Sequence, residues 1–156
     1  MDTTTDQPDY LTDAVTRLER AVANIGALRL KPWRMTLSGY AALKILERQP
    51  HVSLAQLSRR CFVKSQTMTR IVAELERREW VERSPHPESE RAISLALTPA
   101  GRASLAEMAA EVDKIESTLG AELEPGQFPE LVATLRRCAV AVEAEIKDAR
   151  RAARRS

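Results

Sequence analysis

Apolar residues return along the first part of the chain at alternating four- and three-residue intervals: Leu11, Val15, Leu18, Val22, Ile25 and Leu28. That spacing lays a single stripe along a helix, and Pro32 ends it. Thr36 suits the N-cap of a second helix running to about Arg48, with Leu37, Tyr40, Leu43 and Leu46 apolar. Gln49-Pro50 breaks that helix. Ser53 can cap a short helix from Leu54 to Arg60, and a turn follows around Cys61 to Val63. The next helix runs from Lys64 or Ser65 to about Glu79, with Met68, Ile71, Val72 and Leu75 on its apolar side. Two helices joined by a few residues in this way form a helix-turn-helix pattern.

The period then changes. Trp80 to Arg83 reads as a strand, and Ser84 to Glu90, with two prolines, as a loop. Ile93, Leu95 and Leu97 alternate with Ala92, Ser94 and Ala96, a period of two. A β-hairpin directly after the helix-turn-helix is the prediction. Thr98-Pro99 restarts the helical pattern with an N-cap and a proline at the first helical position. Leu105, Met108, Val112, Ile115 and Leu119 form one stripe. Glu124 to Gly126 interrupts, and Phe128, Leu131, Leu135, Cys138, Val142 and Ile146 form another. The fold class predicted is mainly α with a small β-hairpin. It comprises a helix-turn-helix lobe with amphipathic helices at both ends.

Composition narrows the class. The chain has 156 residues, 44% hydrophobic and 29% charged. A chain this long buries roughly 70% of its unfolded surface and folds without disulfides or metals. No apolar run of membrane-spanning length occurs, and the first ten residues are polar and acidic, so neither a transmembrane helix nor a signal peptide is predicted. Cys61 and Cys138 are far apart and make no disulfide framework, which fits a reducing cytoplasm. Five glycines form no phosphate loop. No acid/base pair, nucleophile constellation or metal cluster is visible. The expectation is a cytoplasmic protein that is not an enzyme, with no cofactor and no membrane partner.

Charge brings in the candidate chemistry. Twenty-four Lys and Arg against 22 Asp and Glu leave a net charge of only +2. The distribution is uneven, because residues 48 to 73 contain no acid and carry Arg48, Arg59, Arg60, Lys64 and Arg70. An acid-free basic stretch centred on a helix-turn-helix is the footprint expected of phosphate binding. The helix opening Ser65-Gln66-Thr67-Met68-Thr69-Arg70 is polar and small at its start. Ser, Thr and Gln can bond base edges or phosphates in a major groove. Ser65, Gln66 and Thr69 are expected to face outward, with Thr67 ambiguous. Ser65 can also serve as the N-cap.

The sequence resembles the MarR (multiple antibiotic resistance regulator) family of winged-helix repressors. Three pieces carry the resemblance: Ser65 to Val72 with Leu75-Glu76-Arg77-Arg78; Trp80 to Arg83 running into Pro85 to Arg91; and Leu97-Thr98 with Ala100-Gly101-Arg102. The resemblance implies a homodimer in which N- and C-terminal helices interlock and bury about 2,000 Å² or more, with two winged lobes below. The boundaries expected are 1–34 for an N-terminal dimerisation helix, 35–98 for the winged lobe and 99–156 for C-terminal dimerisation helices. The helices outside the lobe need partners for their stripes, which agrees independently. The resemblance also places Arg91 at the wing tip, entering a minor groove. Here Ser89 stands where the family usually has an aspartate that steadies that arginine. Arg91 is then either more mobile or steadied by Glu88 or Glu90. Many members have glycine where this chain has Phe62. Phenylalanine disfavours positive φ, so a different turn geometry is expected, with Phe62 a packing residue.

The DNA-contact set expected is therefore Arg59, Arg60, Lys64, Ser65, Gln66, Thr67, Thr69, Arg70 and Arg91, and the partner is double-stranded DNA. The resemblance further implies a small aromatic effector, for which Trp33, Met35, Tyr40 and Met108 are candidates beside the plainer reading that they are core. Cys61 and Cys138 read as small buried hydrophobes rather than oxidation sensors. His51 and His86 lack ligand spacing. The basic end, Lys147 to Arg155, reads as a frayed terminus. The function expected is a homodimeric transcriptional regulator that represses a near-palindromic operator until a signal releases it. The alternative is a winged-helix interaction module that does not read DNA.

Overall fold

The computed structural model describes residues 10–155, apart from the side chains of residues 90–92. Among these residues, six α-helices and one two-stranded antiparallel hairpin make up the winged-helix fold. The chain divides into two compact units at Ile115/Glu116, within the fifth helix.

In the first unit, α1 (Leu11–Arg29) is followed by a 3₁₀ turn, Lys31–Trp33. Helix α2 (Leu37–Arg48) starts where Thr36 Oγ1 accepts the Gly39 N–H at 3.2 Å. Helix α3 (Leu54–Arg60) opens on a full capping box: Ser53 Oγ accepts the Gln56 N–H, and Gln56 Oε1 accepts the Ser53 N–H. Helix α4 (Ser65–Arg77) completes the helix-turn-helix.

The hairpin is longer than the sequence pattern predicts. Strand β1 (Val81–His86) and β2 (Ser89–Leu97) take up most of the expected loop, leaving Pro87-Glu88 as the turn. Pro85 sits in a strand because a two-stranded sheet leaves an open side where no N–H is needed. The pairing of Val81 with Leu97 continues to Pro85 with Ile93, then slips so that His86 faces Ser89. The alternation of β2 is also only partly as expected. Leu95 and Leu97 are buried, but Ile93 is 59% exposed while Ser94 is fully buried. Ser94 tolerates burial because its hydroxyl reaches the Ser84 carbonyl at 3.3 Å and His51 Nδ1 at 3.4 Å.

One short bridge ties the helix-turn-helix to the hairpin. The His51 N–H donates to the Leu95 carbonyl at 3.1 Å, and the Leu95 N–H to the Val52 carbonyl at 2.9 Å. Beneath these elements lies one core: Leu30, Met35, Leu43, Leu46, Leu57, Met68, Val72, Leu75, Val81, Leu95, Leu97, Leu105 and Met108. Helix α5 (Pro99–Gly120) begins as expected, with Thr98 Oγ1 accepting the Gly101 N–H at 3.0 Å.

In the second unit, α6 (Gln127–Ala153) buries none of its residues. Phe128, Leu131, Leu135, Val142 and Ile146 are exposed along it, and so is Cys138. The helix also runs on to Ala153, so Lys147, Arg150 and Arg151 stand on regular helix rather than on a frayed end. Helix α1 is similar, with Leu11, Val15, Leu18 and Leu28 exposed.

Candidate nucleic-acid interface

Helix α4 buries Met68, Val72 and Leu75 at the three- and four-residue spacing that faces one side. Ser65, Gln66, Thr67, Thr69 and Arg70 are thereby all exposed, and the ambiguity over Thr67 is resolved outward. Arg59 and Arg60 at the end of α3 and Lys64 before α4 are exposed too. Eight of the nine expected contact residues thus occupy the exposed surface of one helix-turn-helix. Arg91 lies in β2 beside the register slip, and its side chain falls outside what is described.

The start of α4 differs from the other helix starts in the lobe. Thr36 caps α2 and Ser53 caps α3, but Lys64 holds the N-cap position of α4 with no side-chain hydrogen bond. Ser65 is the first helical residue rather than the cap. No acid lies in this first turn. The N–H groups there are left for an outside acceptor, and the helix dipole favours an anion. A residue other than Ser, Thr, Asp or Asn at position 64 is the sequence signal of this open helix start.

Other side chains on this surface are preset by their own bonds. Thr69 Oγ1 donates to the Ser65 carbonyl at 2.8 Å, so its oxygen is left to accept rather than donate. Arg60 donates to the Gln49 side chain, which ties the end of α3 to the end of α2. Acids appear only in the C-terminal half of α4, and they are engaged. Glu74 pairs with Arg77 and with Arg78 Nε (2.6 Å for the latter), and Glu76 with Arg83 Nε at 2.6 Å. The hydrogen bond from Arg77, then that from Arg78, holds the Glu74 carboxyl below the usual carboxylate range. Glu76 likewise raises the Arg83 guanidinium. The exposed end of α4 therefore keeps its positive field.

The turn overturns the expectation for Phe62. Its φ is +54°, the left-handed geometry that suits glycine, and its side chain is 78% exposed. The geometry survives because both neighbours are anchored. Cys61 and Val63 pack against the core, and Ser58 Oγ donates to the Val63 carbonyl at 2.8 Å. Cys61 is half-buried, and burial pushes its thiol up, away from the reactive thiolate.

The effector candidates belong to one core rather than to one open pocket. Met35 and Met108 are core, and Tyr40 packs against that core. Trp33 packs against it too and also walls a groove of about 430 Å³ with Ile25, Leu28, Arg29, Pro32 and Glu111. Trp33 Nε1 donates to Glu107 Oε2 at 3.2 Å, and Arg29 Nη1 meets Glu111 at 3.1 Å. Arg29 Nε is buried without a hydrogen-bond partner. A buried nitrogen of this kind cannot be read from residue spacing. His51 and His86 lie edge to face at 6.4 Å, and no cluster of metal-ligand type occurs among the described residues.

Over residues 35–93 the chain matches the model of the MarR family. The transcriptional regulator SarZ of Staphylococcus aureus is 31% identical over 74 residues, which is 47% of this chain and 50% of that protein. The chain thus spans about half the length of the curated relatives it matches. Among solved structures, BpsR of Bordetella bronchiseptica, whose DNA binding is regulated by 6-hydroxynicotinic acid, aligns with a TM-score of 0.76 at 21% identity. That alignment covers 84% of this chain and 94% of that one. The transcriptional repressor CouR, bound to a 23-mer DNA duplex, aligns with a TM-score of 0.75 at 23% identity, covering 83% and 92%. At such identities these two structures establish the fold alone. Family match and fold agree over the lobe just described: residues 35–93 are similar to the MarR family.

Proposed function

We propose that this chain is a homodimeric, sequence-specific DNA-binding regulator that represses transcription from a near-palindromic operator. The observation that carries the reading is the acid-free face formed by the end of α3 and the uncapped start of α4. Arg59, Arg60 and Lys64 would meet phosphates, while Gln66, Thr67 and Thr69 would reach base edges. Arg70 would add a phosphate contact at the far side. Arg91 would enter the flanking minor groove from the wing.

The exposed apolar stripes of α1 and α6 support a second copy as the partner, with 1–34 and 99–156 serving dimerisation around the lobe 35–98. Two-fold symmetry then sets half-sites about one helical turn apart. A small aromatic effector would fit the Trp33 groove, which Arg29 and Glu111 also line.

Mobility shift with the DNA upstream of its own coding region, against a random duplex at fixed salt, tests the reading. Tighter binding to the upstream DNA by roughly 10³-fold or more is the expected result, the ratio typical of specific over non-specific sites. Equal affinity for both would sink sequence-specific recognition and favour an interaction module.

A further inference from the structure

Phe62 is costly to the fold twice over. A left-handed backbone disfavours a bulky side chain, and a 78% exposed ring forgoes the burial that a phenylalanine supplies. The turn leaves it no alternative. Residues 61 and 63 are both drawn inward, and the Phe62 N–H is occupied by the Arg59 carbonyl at 3.3 Å. The residue between two inward anchors is presented outward.

Its surroundings define what would cover it. Arg59 and Arg60 precede it, Lys64 follows, and the uncapped first turn of α4 begins two residues on from Val63. All of these are exposed and none is acidic. The complement of an apolar ring set in a basic surface is a polyanion that displays apolar groups between its charges. In a DNA major groove that group is the thymine 5-methyl, to which phenylalanine is a suitable contact. The phosphates match the flanking cations.

We propose that Phe62 is a specificity residue, its ring packing on a thymine methyl at the edge of each half-site. The assignment rests on the DNA-binding reading above. It also gives the left-handed phenylalanine a use that folding does not.

The test compares wild type with F62G on a duplex that the wild-type protein enriches from random sequence, and on the same duplex with deoxyuridine in place of every thymidine. Glycine removes the ring and adopts positive φ freely. F62G is expected to melt at the same or a higher temperature than wild type. It should bind the thymine duplex about five- to tenfold more weakly, with an unchanged salt slope, because no phosphate contact is lost. On the deoxyuridine duplex the two proteins should bind alike. A lower melting temperature would show that the ring packs within the fold and would overturn the assignment. So would a penalty that persists without the methyl groups. Equal binding of both proteins to the enriched thymine duplex would remove Phe62 alone. Failure of the wild type to enrich any sequence would remove the DNA-binding reading with it.

Discussion

Ser58 donates its hydroxyl proton to the Val63 carbonyl at 2.8 Å, closing the α3–α4 turn from inside with a serine only 5% exposed. That bond sets the angle at which α4 leaves the turn. Ser58→Ala leaves the carbonyl without this donor, at a cost of about 1–3 kcal/mol. Urea denaturation should show the loss, and DNA affinity should fall with it. Unchanged stability would mean that water replaces the hydroxyl.

Gly101 sits where a Cβ would come 2.1 Å from the Trp80 carbonyl oxygen. That oxygen already accepts the Thr98 N–H at 3.0 Å, so it is backbone with little freedom to move. Gly101→Ala should push α5 off the hairpin base and cost about 1–3 kcal/mol or more. A thermal melt checks it; a melting temperature equal to wild type would refute the close packing.

Glu74 binds Arg77 and Arg78, and these bonds hold its carboxyl below the ordinary 4.5. A carboxylate lowered on folding stabilises above its unfolded value, and that contribution is lost as pH falls through the lower folded value. Wild type should therefore lose stability below about pH 4.5 more steeply than Glu74→Gln. Parallel pH–stability curves for the two proteins would count against the pairing. Glu111, lowered by Lys114 and then Arg29, should behave in the same sense.

Arg70 is exposed one turn beyond the start of α4. Arg70→Ala should weaken DNA binding and reduce the salt slope by about one unit, as expected for one lost phosphate. A slope identical to wild type would take Arg70 off the contact list.

Leu18 on α1 and Leu135 on α6 are exposed members of two apolar stripes. Replacing either with Glu should shift sedimentation toward the monomer and weaken operator binding together. If the double variant sediments as wild type does, those stripes are not the dimer contact.

Much of this protein is local and therefore readable in its sequence. Thr36, Ser53 and Thr98 begin helices because each hydroxyl captures the N–H three residues on, a contact that needs no distant partner. The stripe Met68, Val72, Leu75 and the run of cations without acids are likewise facts of spacing and charge. From them the helix-turn-helix, the hairpin and the exposed side of α4 follow. Tertiary structure decided what depends on residues far apart in the chain. Ser94 is buried because His51 and Ser84 come to its hydroxyl, whereas alternation alone would turn it outward. Arg29 meets Glu111 across 82 positions. Phe62 keeps a glycine's backbone because Ser58 and the core hold both its neighbours, a constraint stronger than its own preference for negative φ. Residue type predicts what a side chain favours in isolation. Where packing on either side overrides that preference, only the folded chain reveals it.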